Sequence, residues 1–408
     1  MKKLLVFTLF ISVYVLVFAQ EISKEKLQQH IVYLASDELE GRAPGTKGEQ
    51  LAYEYIIQQF EAIGIAPKGS SGYLQPFTYK RTNNPHGNSG KEKKITANNV
   101  IGYIDNNAEN TLVIGAHYDH LGKHNHQSSL DKNVKNQIHN GADDNASGVA
   151  GVLELARYFA TNNIKENNNF LFIAFSAEED GLIGSKYFTQ NPTIDIAKVN
   201  CMLNMDMVGR LIDSTRNLLV YGIGTSTNYG TVFSSVNHTF DLVFDSSGIG
   251  PSDHTSFYLK NIPVLHFFTG QHTDYHKPSD DADKINYNGT HEVITFIKDL
   301  AEKIAGYSKI NFTETKANEQ EKVSFKVTLG IMPDYAFQDK GVKIDAITNG
   351  KPAQVAGIKA GDIITAINNE PLKDVYEYMK QLAKFSKGDE ANVTVQRKTE
   401  TLTFKVKF

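Results

Sequence analysis

Residues 111–122 read TLVIGAHYDHLG. Thr111–Ala116 has the length and apolar content of a buried strand, and it ends abruptly in His117, Asp119 and His120. Three more runs of this kind follow along the chain: Asn169–Phe175, Val199–Asn204 and Ile262–Phe267. Val149–Phe159 has helical apolar spacing and lies between the first two. Upstream, Leu27–Leu34 and Glu49–Ile63 also read as helices, separated by the polar loop SDELEGRAPGTKGE. Buried strands alternating with helices predict an α/β domain: a doubly wound, mostly parallel (mixed) sheet with helices on both faces.

In an open sheet of that type, ligands bind beyond the carboxyl ends of the strands. The polar clusters after the apolar runs are therefore the candidates for chemistry. In GAHYDHLG (115–122), a neutral His117 imidazole suits zinc, and Asp119 is placed to fix its tautomer. Its plainer reading is a strand-end histidine with ordinary hydrogen bonds. In NGADDNASG (140–148), Asp143 and Asp144 have no basic neighbour, so they need a cation or a helix N-terminus. One acid capping the Val149–Phe159 helix and the other binding metal satisfies both readings. Gly141 and Gly148 would let the backbone turn and pack closely there.

FSAEEDG (175–181) sets Glu178, Glu179 and Asp180 side by side. Successive side chains point differently, so one Glu can hold metal while the other faces a water as general base. A solvated acidic turn is the alternative. Asp206 in NMDMVGR (204–210) sits between two methionines, where a carboxylate is costly unless paired or coordinated. TDYHKPSDDADK (273–284) adds His276 as a ligand candidate and Tyr275 as a donor to a developing oxyanion. Two histidines and three carboxylates suit a pair of zinc ions.

These blocks, in this order, resemble the co-catalytic dizinc aminopeptidase family: bacterial leucyl aminopeptidases, aminopeptidase S and aminopeptidase Y, with glutamate carboxypeptidase and glutaminyl cyclase as relatives. The stretch LASDELEGRAPGTKGEQLAYEYIIQQF also looks like the family's opening, and the resemblance covers about residues 22–307. It implies His117, Asp144, Glu179, Asp206 and His276 as ligands of two Zn²⁺, with Asp144 bridging. It implies Glu178 as general base, Asp119 as the acid orienting His117, and Tyr275 as the residue polarising the scissile carbonyl. The implied activity is removal of N-terminal residues from peptides by metal-activated water. Alternatives are a single-zinc acyltransferase of the glutaminyl cyclase kind, a binding protein with a dead peptidase site, and the same chemistry on a C-terminal or dipeptide bond.

The remaining histidines fit no ligand position of the family. His120, His124, His126 and His139 read as loop residues, and His254 in GPSDHTSF reads as a lining residue of the substrate pocket. Cys201 reads as a buried small hydrophobe in a strand.

From about Ser308 to Lys322 the chain is polar and suits a linker. Short β-like runs follow (Val323–Leu329, Val342–Ile347, Asp362–Asn368, Asn392–Arg397 and Thr401–Phe408), with an amphipathic helix near Val375–Phe385. GKPAQVAGIKAGDIITAINNEPL resembles the PDZ domains attached to exported bacterial proteases. The resemblance implies a small β-rich domain over residues 323–408 that captures a peptide or protein C-terminus, with Leu329-Gly330-Ile331-Met332 as the carboxylate loop. Pro333 lacks the donor an ideal strand would use there.

The chain has 408 residues, 40% hydrophobic and 22% charged, with a formal net charge of -4. That length suggests two domains, and nothing in that charge suggests a nucleic-acid binder, which would carry a basic stripe. Residues 1–19 carry Lys2, Lys3, an apolar stretch to Phe18 and a small residue at Ala19, the pattern of a secretory signal peptide. The expectation is export to the periplasm or beyond, with no membrane span after the signal is removed. One cysteine excludes an internal disulfide.

Overall fold

The four apolar runs become the centre of one sheet. The computed structural model describes residues 21–82, 92–123, 128–131, 136–315, 327–333, 337, 339–347, 350–373 and 375–408. The expected signal peptide, His124, His126, residues 316–322 of the expected linker and the start of the Val323–Leu329 run lie outside them.

Among the described residues nine strands make this sheet: β1 (Ala66–Pro67), β2 (Leu74–Thr82), β3 (Glu92–Ile104), β4 (Asn110–His117), β5 (Asn168–Phe175), β6 (Val199–Met205), β7 (Asn217–Tyr221), β8 (Asp241–Asp245) and β9 (Val264–Phe268). Their order is β1-β3-β5-β4-β6-β9-β7-β8, with β2 paired to β3. The four expected strands, β5, β4, β6 and β9, run parallel to their neighbours in the middle. The hairpin β2–β3 and the β3–β5 and β7–β9 pairings are antiparallel, so the sheet is mixed. The chain leaves β4 for β5 on one side, then crosses to β6 on the other. That reversal opens a crevice at the carboxyl ends of β4 and β6.

Alternate residues of the central strands enter different cores, as a period of two requires. Leu112, Ile114 and Ala116 pack with the helices α1 (Lys24–Leu34), α2 (Lys47–Ala62) and α3 (Gly148–Thr161). Val113, Leu171 and Ile173 pack on the opposite face with Phe188 of α4 (Ile183–Gln190) and Phe257. Both faces are covered, which is why these strands read as unbroken apolar runs.

Helix α2 is tied to the site from its first turn. Thr46 caps it by accepting from the Glu49 N–H at 3.3 Å. The buried Glu49 carboxylate takes the Gly45 N–H at 2.6 Å, the Ser176 hydroxyl at 2.6 Å and the Tyr118 hydroxyl at 3.1 Å. The α2 start and the loops after β4 and β5 therefore form one hydrogen-bonded block.

Residues 308–315, expected to begin a linker, stay packed on this unit. Ile310 is buried in its core, and the Tyr258 hydroxyl donates to the Thr315 carbonyl at 3.1 Å. The second unit has its own core, built on Leu329, Ile344, Ile364, Val393, Val395 and Val406. Its sheet runs β10 (Ile331–Pro333), β11 (Val342–Ile347), β12 (Ile363–Ile367), β14 (Glu390–Arg397), β15 (Glu400–Lys407), with β13 (Glu370–Pro371) on β12. All pairs are antiparallel, and the register slips between Met332 and Pro333, where the proline has no N–H to give. No helix among the described residues is long and apolar enough to cross a membrane.

Candidate active site

The carboxyl ends of β4, β5, β6 and β9 deliver His117, Glu178 and Glu179, Asp206, and the loop bearing Tyr275 and His276 to one crevice. The fifth contributor is the turn before α3. It is shaped by Gly141, whose φ of 57° is left-handed. A side chain at Gly141 would collide with the Asp144 carbonyl and the His120 ring. Gly148 lets the turn sit against Met205, whose carbonyl a Cβ there would meet at 2.5 Å. The helix cap is neither acid. Asn145 Oδ1 accepts from the Gly148 N–H at 2.9 Å. Asp143 instead accepts from the Gly209 N–H at 2.6 Å and faces His272 Nε2 at 3.1 Å. Asp144 is left free to point into the crevice.

Asp144 lies between two imidazoles. Its Oδ1 is 3.3 Å from His117 Nε2, and its Oδ2 is 3.2 Å from His276 Nε2. His117 Nε2 is also 3.3 Å from Asp206 Oδ1, and His276 Nε2 is 3.3 Å from Glu179 Oε2. Zinc bound tetrahedrally by N and O at about 2.0–2.1 Å sets its ligands about 3.3–3.4 Å apart. The four separations match that spacing. All five residues expected as ligands are brought together as two groups that share Asp144, so this donor set fits two cations.

The electrostatics agree. Burial pulls the His117 imidazole down, but the carboxylates of Asp206 and Glu178 push it well above its ordinary value. Burial opposes His276 in the same way, and Glu179 and Asp144 overcome it. Positive charge is what these carboxylates lack, and a metal ion supplies it. Burial, reinforced by Asp206, raises the Glu178 carboxyl well above the carboxylate range. A raised carboxyl is a stronger base.

Asp119 does not orient His117 through its carboxylate. That group is 3.8 Å from His117 Nδ1, whose nearer partner is the Asp119 carbonyl at 3.2 Å. The carbonyl accepts the Nδ1 proton and leaves Nε2 free for metal. The carboxylate accepts from the Glu178 and Glu179 N–H groups at 3.1 and 3.4 Å, holding the acidic turn in place. Tyr275 stacks on His276 at 3.8 Å, and burial together with Asp144 raises its hydroxyl well above its ordinary value, so it stays a donor. Ala177, Met207 and His276, each beside or within the ligand set, have left-handed backbones at φ of 59°, 56° and 53°. Such residues cost about 1–3 kcal/mol each and persist where surrounding structure enforces them.

His120 is a loop residue, as its sequence suggests, but it is not at the surface. It is fully buried, its Nδ1 lies 2.8 Å from Glu179 Oε1, and neither ring nitrogen has an aligned hydrogen-bond partner. It meets His276 edge to face, 5.9 Å between centroids. His120, Asp144 and Glu179 also form a group whose ligand atoms all lie within 4.8 Å of one another, so His120 adjoins the ligand set. His139 is likewise buried, bonded to Ser129 and to the Gly122 carbonyl. His254 does not line the cavity. It is fully buried and stacks on His266, 4.5 Å between centroids, and His266 is the ring that reaches the wall. Cys201 is buried in its strand, as expected.

Three further residues went unsignalled in the sequence. Arg42 is buried and donates to the carbonyls of Tyr118, Asn140 and Gly141 at 2.7, 2.6 and 3.0 Å, and to that of Leu34. It clamps the loops that carry His117 and Asp144. Asp280 accepts from the Asp143 and Asp144 N–H groups at 3.1 Å. Ser252 donates to Asp206 Oδ2 at 2.7 Å, on the side away from His117. Asp280 and the ligand His276 share a Pro-bearing loop, which was its only trace in the sequence.

A cavity of ≈ 90 Å³ opens beside the ligands, lined by Glu178, Met207, Tyr221, His266, Phe268 and Tyr275 among others. It has room for several waters or one side chain.

The family model for Peptidase family M28 matches residues 99–301, and the PDZ domain model matches residues 312–408. Residues 99–301 form a peptidase family M28 domain. The chain is 30% identical over 190 residues to leucine aminopeptidase 2 of Trichophyton rubrum, covering 44% of this chain and 34% of that protein. It is 28% identical over 257 residues to leupeptin-inactivating enzyme 1 of Streptomyces exfoliatus, covering 60% of this chain and 47% of that one. The chain thus spans about a third to a half of the length of these curated relatives. An aminopeptidase from Aneurinibacillus sp. strain AM-1 shares the fold, with a TM-score of 0.54 at 20% identity, over 74% of this chain and 97% of that one.

Proposed function

We propose that this chain is an exported, two-zinc aminopeptidase that removes N-terminal residues from peptides. One observation carries the reading. Two groups of metal-ligating side chains share Asp144, with Glu178 beside them in the wall of a cavity sized for one side chain. His117, Asp144 and Asp206 would hold one zinc, and Asp144, Glu179 and His276 the other. Bound there, zinc supplies Lewis acidity, lowering the pKa of water and polarising the carbonyl to be cleaved.

The chain's own residues do the rest. Glu178 takes the proton of the attacking water and returns it to the leaving amine. Asp119 fixes Glu178 by accepting from its N–H. The Tyr275 hydroxyl donates to the oxyanion as it forms. The small volume of the cavity favours a single residue on the amino side of the bond. Shared use of Asp144 by two ligand groups favours this reading over a single-zinc acyltransferase. The signal-like residues 1–19 support export, and the second unit supports capture of a peptide or protein C-terminus by the PDZ domain.

Hydrolysis of aminoacyl and N-blocked aminoacyl chromogenic substrates by the zinc-loaded chain tests the reading. Chelator-sensitive cleavage of the free-amine substrates alone is expected. Equal cleavage of the blocked substrates would exclude an aminopeptidase.

A further inference from the structure

The cavity has a polar wall that the reaction leaves unused. Asn204 of β6, His266 of β9 and Tyr221 of β7 are direct cross-strand partners, so their side chains leave one face of the sheet together. His266 and Tyr221 line the cavity. The tautomer of His266 follows from a chain of bonds beginning at Asp206. A carboxylate only accepts, so Ser252 Oγ, 2.7 Å from Asp206 Oδ2, spends its one proton there. Ser252 Oγ must then accept from Asn204, at 2.8 Å, which puts the amide nitrogen on that side. The same nitrogen lies 3.1 Å from His266 Nδ1 and gives it its second proton. Nδ1 is therefore an acceptor, and the neutral ring carries its proton on Nε2. Burial keeps the ring neutral, holding its pKa down to about 4. His254 covers one face in parallel stacking, and Tyr221 sits 5.3 Å away at 33°. With Nδ1 turned to Asn204, Nε2 is the ring nitrogen left to serve the cavity that His266 lines.

We propose that His266 is a specificity-determining residue, a fixed N–H donor that selects N-terminal residues with an uncharged acceptor in the side chain, glutamine and asparagine above all. The proposal rests on the aminopeptidase reading and names the side chain its pocket takes. Met207, Pro251 and Phe268 supply apolar contact for the side-chain stem. The carboxylates that line the cavity, Asp144, Glu178 and Asp206, all belong to the metal end, so a lysine or arginine side chain finds no separate counter-charge. A site that holds a buried donor discriminates against a substrate that leaves it unpaired.

The test compares kcat/KM for glutaminyl and leucyl p-nitroanilides, using the zinc-loaded full chain, His266→Phe and His266→Gln. The glutamine-to-leucine ratio should fall about fivefold or more in His266→Phe, the worth of one hydrogen bond. It should recover in part in His266→Gln, which keeps an N–H. A ratio within twofold of the wild type in His266→Phe overturns the proposal. Failure of the wild type to cleave any free-amine substrate removes the aminopeptidase reading, and this proposal with it. A ¹⁵N–¹H spectrum of the histidine rings reads the tautomer without any variant. His266 protonated on Nε2 is expected, and protonation on Nδ1 overturns the proposal even where cleavage is normal.

Discussion

Arg42→Met removes a guanidinium and leaves a side chain of similar length in a site that is 1% exposed. Three backbone carbonyls, those of Leu34, Tyr118 and Asn140, lose the Arg42 donor, while that of Gly141 keeps the Ala146 N–H at 3.2 Å. Each buried carbonyl left unpaired costs about 1–3 kcal/mol. Part is offset, because burying the guanidinium is itself unfavourable, as its pKa drawn down to about 10 shows. A net loss of about 4 kcal/mol remains, at the upper end of single-residue effects. For a unit of this size that corresponds to a fall in Tm of about 8–16 °C. Thermal unfolding followed by near-ultraviolet circular dichroism, with and without zinc, measures it. The apo and holo proteins should both fall, because the carbonyls belong to the backbone of the ligand loops. A fall of less than about 2 °C would refute the clamp and return Arg42 to the solvated loop its neighbours suggest.

Other perturbations separate the parts of the site. Asp144→Ala should weaken both zinc sites at once, and bound zinc per chain after gel filtration, measured by mass spectrometry, should fall below one; loss of a single zinc would show that Asp144 does not bridge. His120→Ala should lower the affinity for the zinc held by Glu179 and His276 about 10–100-fold in chelator competition, as removal of a residue supporting a ligand does. Affinity for the other zinc should move far less. On α1, burial drives the His30 imidazole down to about 4, so only the unfolded chain binds its proton between about pH 6.5 and 4. Stability is therefore full above pH 6.5 and falls by about 1.4 kcal/mol per pH unit toward pH 4, up to about 3 kcal/mol. Urea midpoints across that range should fall less steeply in His30→Gln than in the wild type, by about that slope, the remainder belonging to the other buried neutral histidines such as His266.

Much of this fold and site was legible because the central strands are buried on both faces. A strand covered twice shows as an unbroken apolar run, and an acid or histidine directly after such a run has little reason to be there unless it binds something. His117 and Asp206 announce themselves in that way, while Glu179 and His276 stand four and nine residues past their runs and are reached through the family resemblance. The β2–β3 hairpin does not: it alternates polar and apolar residues, and Pro76 interrupts it. β7 and β8 are only five residues each. His120 stands three residues after a strand end, where no periodicity distinguishes a buried side chain from an exposed one. Arg42 sits in a run of acids and glycines, which reads as solvated until Leu34, Tyr118 and Asn140 arrive from elsewhere in the chain. The Asp119 carboxylate had an expected role at His117, yet its partners are backbone N–H groups of a distant loop, which only the fold brings near.

The central claim is that Glu178 acts as the base on water activated between two zinc ions. Zinc content and leucyl p-nitroanilide hydrolysis, measured together on the wild type and Glu178→Gln, test it most directly. Two zinc ions per chain are predicted in both proteins, with kcat reduced at least about a hundredfold in the variant. Near-normal kcat in a Glu178→Gln protein that still holds two zinc ions would contradict it.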